Sequence, residues 1–254
     1  MNSQPEIIAH RGGRWAGASE NTLEAFTAAS DRGVVWMETD VHASADGVLF
    51  AAHDEDLSRI AGRPHLIREL SARELDCVEL HGGGRLPRMS DLLEALPQAR
   101  WNIDVKAAHS IAPTVRTLRS AGAEARVRMA SFHSSTLRRL RSALPGTLTS
   151  AGTAETALFA LSAALGLPAR LRAVPAGVDA LQVPMRVRGV PAVTSGFVAR
   201  ARERGLLVHV WTVNDPHDMR TLSSLGVDGI VTDEVELALT VVGPRTGRNS
   251  DHPE

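Results

Sequence analysis

One local phrase recurs along the 254 residues and constrains the fold more than any other feature. A helix-length stretch ends in Gly, and a β-branched or apolar run follows within a few residues. It occurs at Asp31-Arg32-Gly33 before Val34 to Asp40, at Gly122 before Val127 to Ser131, at Gly205 before Leu206 to Trp211 and at Gly226 before Gly229 to Thr232. Gly accepts a left-handed backbone at a helix C-terminus, and a parallel strand buried on both faces reads as a short apolar run, so each phrase predicts one αβ unit. Ile7 to His10, Trp101 to Lys106, Thr147 to Ser150 and Ala180 to Val183 bring the candidate strands to eight. Eight such units suit a closed (β/α)₈ TIM barrel. Helix starts are marked by Asn21 with Glu24, which resembles a capping box, and by Asp215 followed by Pro216. Apolar residues at helical spacing, such as Ile111, Val115 and Leu118 or Met219, Leu222 and Leu225, support the intervening helices. The alternation breaks once. Val41 to Phe50 reads as two extended arms around Asp46-Gly47, a short hairpin excursion after strand two. The expected organisation is one barrel domain over residues 1–242 and a polar, disordered C-terminal tail over 243–254.

Charge and cysteine content narrow the function classes. Lys plus Arg is 28 against 29 for Asp plus Glu, a formal net charge of -1, so no basic field predicts a nucleic-acid partner. No apolar segment reaches the roughly 18 to 20 residues of a bilayer span, so no stable membrane insertion is expected. The best apolar stretch, Leu158 to Leu167, has the spacing of a helix packed on the barrel. Cys77 is the only cysteine, which excludes an internal disulfide and a thiolate metal site, and the short polar stretch Met1 to Glu6 with no apolar span leads to the expectation of a cytoplasmic setting. Lys106 is the only lysine beside 27 arginines. Base composition accounts for such a bias; alternatively, position 106 needs a compact ammonium rather than a planar guanidinium.

Strand parity then gathers the chemistry. Residues two apart share a face, so Glu38 joins Asp40 on one side of strand two, and Asn102, Asp104 and Lys106 share a face of strand three. These lie towards the C-terminal strand ends, where the βα loops of this barrel type build active sites. Three converging carboxylates repel one another and lose hydration unless a cation neutralises them, and hard oxygen ligands favour one divalent ion, Mg²⁺ or Ca²⁺. The alternative is an ordinary polar network with Arg. Strand one ends in His10-Arg11-Gly12-Gly13, and the excursion returns to deliver His53-Asp54. Two imidazoles at one mouth can act as general base and general acid near neutral pH, while Arg11 and Lys106 supply positive charge for a phosphate. Trp211, at the end of strand seven, walls the pocket or else packs in the barrel core.

The ordered set His10-Arg11-Gly12, Glu20 to Phe26, Glu38-Thr39-Asp40-Val41, Asp46-Gly47, His53-Asp54 and Asn102 to Lys106 resembles the glycerophosphodiester phosphodiesterase family. Ser131-Phe132, Trp211 to Asn214 and Gly229 to Asp233 also sit where that family has similar phrases, so the likeness runs from about Ile7 to Val241. It implies a (β/α)₈ barrel that hydrolyses small glycerophosphodiesters to sn-glycerol 3-phosphate and an alcohol with a divalent metal. Position by position, it implies Glu38, Asp40 and Asp104 as metal ligands, His10 and His53 as the acid/base pair, and Arg11 and Lys106 as phosphate contacts. Asp104 departs from the family's usual Glu, which shortens the ligand by one methylene, and Ser19 stands where Pro is common. His10 is taken as base and His53 as acid, a direction that sequence does not fix. Two other readings are a lysophospholipase D-type hydrolase of lysophospholipids and a non-catalytic glycerophosphodiester-binding protein.

Overall fold

The computed structural model describes residues 4–168 and 174–243. All eight expected strands form: β1 (Glu6–His10), β2 (Trp36–Ala43), β3 (Arg100–Val105), β4 (Val127–Ala130), β5 (Leu148–Ser150), β6 (Val178–Pro184), β7 (Leu207–Trp211) and β8 (Gly229–Thr232). They pair in chain order, every neighbour parallel, and Ile8 on β1 aligns with both Trp36 on β2 and Val231 on β8, which closes the barrel. The four glycines of the recurring phrase, Gly33, Gly122, Gly205 and Gly226, all have φ between 56° and 81°, the left-handed backbone that ends a helix. Of the expected tail, only Gly243 falls within the described residues.

Strand parity separates two layers. Outward residues such as Met37, Trp101, Ile103, Val208 and Ile230 join the helices in the main core with Phe26, Leu118, Phe197 and Leu222. Inward, Ile8, Trp36 and Val231 form a small apolar plug. Beneath it the fully buried Arg128 donates from Nη2 to Asp179 Oδ2 (2.6 Å), and its guanidinium lies 4.5 Å from the centre of the Trp36 ring. A buried charge is tolerated here because it is paired and stacked. Gly229 makes room for a buried ring: a Cβ there would meet His209 Cδ2 at 2.8 Å.

Two local readings are refined. The first helix, Leu23–Asp31, is capped by Thr22, whose hydroxyl accepts from the Ala25 amide, not by Asn21. Asn21 instead has φ +57° and accepts from Thr39 Oγ1 (2.8 Å), tying the helix start to β2. Asp215 caps the helix Pro216–Leu225 as expected. The hairpin also forms, with Leu49–Ala51 antiparallel to the end of β2, but the excursion continues to Arg88. It carries a second core of Phe50, Leu57, Ile67, Leu75, Val78 and Leu86. The sequence shows the turn dipeptide; the packing that makes the rest a unit comes from short elements whose periodicity is too brief to read.

Candidate active site

His10, Arg11, Glu38, Asp40, His53, Asp104, Lys106 and Trp211 all line one cavity of about 560 Å³, so the structure brings together every site residue expected from sequence. β1 presents His10 as its last residue. The chain then turns sharply: Arg11 has φ +52°, and Gly12 follows at φ +88°, where a Cβ would sit 2.9 Å from Ala25 Cβ. A non-glycine left-handed residue costs about 1–3 kcal/mol and persists only where its surroundings hold it. Here the Arg11 amide donates to Glu38 O (2.9 Å) and lies 3.2 Å from Glu38 Oε2, locking the turn to β2.

Each histidine has its own carboxylate. His10 Nδ1 lies 2.6 Å from Asp233 Oδ1, just past β8, and Asn214 Nδ2 holds the other Asp233 oxygen at 2.7 Å. Nε2 faces Glu38, 3.9 Å from Oε2. Burial works to lower the His10 pKa, but the Asp233 bond and the Glu38 charge outweigh it, and the pKa is raised. His53 Nδ1 lies 2.6 Å from Asp54 Oδ1, and His42 Nε2 lies 3.2 Å from the His53 carbonyl. A chain of ion pairs links the two loops. Arg59 bonds Asp54 Oδ2 (2.5 Å) and Glu20 Oε1 (2.7 Å); Glu20 accepts from Arg11 (3.0 Å); and Arg11 Nε lies 3.3 Å from Asp40 Oδ2. Asp54, Arg59, Asn214 and Asp233 carry no individual signal in the sequence. Asp54 adjoins His53 in the chain, but Asp233 is 223 residues from His10, so only barrel closure pairs them.

The carboxylates are buried. Lys106 Nζ lies 2.7 Å from Asp40 Oδ1 and donates to Asp104 Oδ2 at 2.8 Å, a wedge that suits a compact ammonium. Burial would lower the Lys106 pKa, but the two aspartates outweigh it and raise it. Burial, with repulsion from Asp40, pushes Glu38 up to about 8, and burial raises Asp104 despite Lys106. Asp40 Oδ2 and Asp104 Oδ1 have no hydrogen-bond partner among the described residues. The polar network read as the alternative therefore exists, but it leaves carboxylate oxygens unsatisfied. Among the described residues no three His, Cys, Asp or Glu side chains are already gathered as a ligand cage.

Trp211 meets both expectations: it packs on the inner apolar plug and walls the cavity. Phe132 stands edge-on to it at 5.9 Å, with Lys106 Nζ 5.4 Å from the Phe132 ring centre. From the elements after β5 and β6, the cavity lining includes the apolar Ala157, Ala160, Val187 and Phe197.

Comparison with known proteins identifies the family. Residues 10–237 match the glycerophosphoryl diester phosphodiesterase family. The chain is 36% identical over 236 residues to the "probable glycerophosphodiester phosphodiesterase 2" of Mycobacterium tuberculosis, covering 92% of this chain and 89% of that one. Its fold is shared with a glycerophosphodiester phosphodiesterase of Thermotoga maritima (TM-score 0.73, 25% identity, 93% and 97% of the two chains). It is shared too with an Oleispira antarctica phosphodiesterase in complex with the product sn-glycerol-3-phosphate (TM-score 0.75, 21% identity, 95% and 98%). No helix among the described residues is long and apolar enough to cross a membrane. Since the agreement spans nearly the whole barrel and not one motif, the chain belongs to the glycerophosphoryl diester phosphodiesterase family and is an enzyme of that class.

Proposed function

We propose that this enzyme cleaves small, soluble glycerophosphodiesters in the cytoplasm to sn-glycerol 3-phosphate and an alcohol, with a divalent cation and the His10/His53 pair. The observation that carries the reading is one cavity holding both imidazoles, two cations and three buried carboxylates. The product named for the Oleispira antarctica enzyme is consistent with it.

The donor set fits a hard divalent cation. All its members are carboxylate oxygens, two of them buried without a hydrogen-bond partner, and ionisation of Glu38 is disfavoured in the absence of further positive charge. Glu38, Asp40 and Asp104 would hold Mg²⁺ or Ca²⁺. Such an ion would supply Lewis-acid chemistry at the phosphoryl group.

The chain's own residues do the rest. Arg11 and Lys106 line the cavity as fixed positive charges and balance the charge that develops on phosphorus. Asp233 holds His10 through Nδ1, so Nε2 is the nitrogen that accepts a proton from the nucleophile, either water, which gives the monoester directly, or the neighbouring glycerol hydroxyl, which gives a cyclic phosphate that water then opens. Asp54 orients His53 in the same way, so its Nε2 delivers a proton to the leaving alcohol. Trp211 and Phe132 give the glycerol carbons an apolar wall.

The test is release of glycerol 3-phosphate from glycerophosphocholine, glycerophosphoethanolamine and a lysophospholipid, each with and without chelator. Turnover of the two soluble diesters that stops with chelator and returns with Mg²⁺ or Ca²⁺ is expected; turnover indifferent to chelator would overturn the cation. The apolar wall of Ala157, Ala160, Val187 and Phe197 favours a second reading, a lysophospholipase D-type reaction. Exclusive use of the lysophospholipid would establish it. The non-catalytic binding reading is set aside by membership of an enzyme family.

A further inference from the structure

From Thr153 to Arg202 the chain carries six arginines and two acidic residues, Asp179 and Glu155, the latter paired with Arg141, although the whole chain has a net charge of -1. Asp179 is paired inside the barrel with Arg128 and offsets nothing at the surface. The same segment holds most of the exposed apolar side chains. Of nine such large residues among those described, six are Leu158, Leu161, Leu165, Leu167, Val187 and Val190. Four belong to the helix Thr153–Ala164 and the residues just after it, and two to the antiparallel pair Arg186–Val187 and Val190–Pro191.

The helix needs only one face for the core, which it fills with Glu155, Phe159, Ser162 and Ala163. Leu158, Leu161 and Leu165 follow an i, i+3, i+7 spacing and form a separate stripe, with Leu161 58% exposed. Single exposed leucines need no explanation, but a cluster beside a cavity marks an interaction surface. The helix and the hairpin are two sides of the same opening, because Ala157, Ala160 and Val187 line the catalytic cavity. At the hairpin tip, exposed Arg186 and Arg188 alternate with exposed Val187 and Val190. Apolar side chains that insert shallowly, joined with arginines that meet anionic headgroups, are the pair of signals that holds a protein on a lipid surface.

We propose that this rim docks on an anionic lipid surface and turns the mouth of the catalytic cavity towards it. The docking is peripheral and does not depend on the reading of the reaction given above.

Full-length protein is sedimented with phosphatidylcholine vesicles, with and without phosphatidylglycerol, at low and at high salt. Binding to the anionic vesicles that weakens with salt is expected. A Leu161→Glu/Val190→Glu variant should lose about tenfold or more of it. Arg186→Glu/Arg188→Glu should lose about as much, and only on the anionic vesicles. Both variants should keep wild-type turnover of glycerophosphocholine, which reports a folded barrel whatever the vesicles show. The proposal is overturned if wild-type protein ignores anionic vesicles or if both variants bind as it does. It is also overturned if light scattering shows a dimer that Leu161→Glu dissociates, which would assign the face to a second copy of the chain.

Discussion

The two sides of the cavity mouth differ in every physical respect. On the side built by β1, β2, β3 and the excursion, charged groups are tied to one another over short distances, from the exposed Arg59 and the partly exposed His53 and Glu20 through Arg11 to the buried Asp40 and the half-buried Lys106. On the side built after β5 and β6 the helix Thr153–Ala164 holds one ion pair, Glu155 with Arg141, and apolar side chains face both the cavity and the solvent. A barrel permits this division because each βα loop varies without disturbing the strands. Chemistry requires preorganised charges that cannot relax, whereas contact with an amphiphile or a lipid surface requires apolar area and tolerates mobility.

Substitutions on the charged side should therefore act on turnover, and those on the apolar side should not. The largest effect is expected for His10→Ala and His53→Ala, each lowering kcat by roughly 10² to 10⁴ fold, measured as glycerol 3-phosphate release. Activity within a few fold of wild type in both would remove the acid/base pair and with it the contrast. Asp233→Asn keeps the size of the orienting side chain but weakens its hold on His10 Nδ1, so kcat should fall roughly 10 to 100 fold with KM little changed. A KM effect alone would make Asp233 a substrate contact instead.

A third prediction concerns stability. In chelated protein the folded-state pKa of Glu38 is about 8, well above the ordinary glutamate value of about 4.3. The folded state therefore binds the extra proton between these values, and stability falls as pH rises from about 4.3 through 8. Thermal denaturation in chelator should show Tm dropping across that window, and Glu38→Gln should flatten the drop. An unchanged slope in the variant would mean that Glu38 is not the group responsible. The smallest effect is expected on the other side: Leu158→Ala, at a half-exposed position, should change stability by no more than about 0.5 kcal/mol and leave glycerophosphocholine turnover unaltered. By contrast Trp101→Ala, fully buried and edge-on to Phe26 at 4.9 Å, should cost about 3–5 kcal/mol by chemical denaturation.

Much of the barrel and the charged side is legible from residue order, because period-two alternation and a Gly-terminated helix are local signals. Glu38 and Asp40, or Asp104 and Lys106, share a face by the geometry of one strand. The excursion was legible only at Asp46-Gly47, since its second core joins residues from Phe50 to Leu86 that have no common period. Asn21 looked like a helix cap because Asn suits that role; the structure gives its oxygen to Thr39 instead, and the neighbouring Thr22 caps. Leu158 to Leu167 carries the spacing of a helix packed on the barrel but no information on what lies beside each stripe, and Leu158, Leu161, Leu165 and Leu167 are exposed.

By itself the sequence determined the eight-unit barrel, the faces that carry the carboxylates and the two histidines at the mouth, because these follow from local signals: Gly-terminated helices, period-two strands and short phrases at strand ends. The tertiary structure alone decided that Asp233 orients His10, that Lys106 wedges between Asp40 and Asp104, and that Ala157, Ala160 and Val187 line the same cavity as the charged groups. Those are contacts between elements, fixed by barrel closure and by which groups burial forces to find partners.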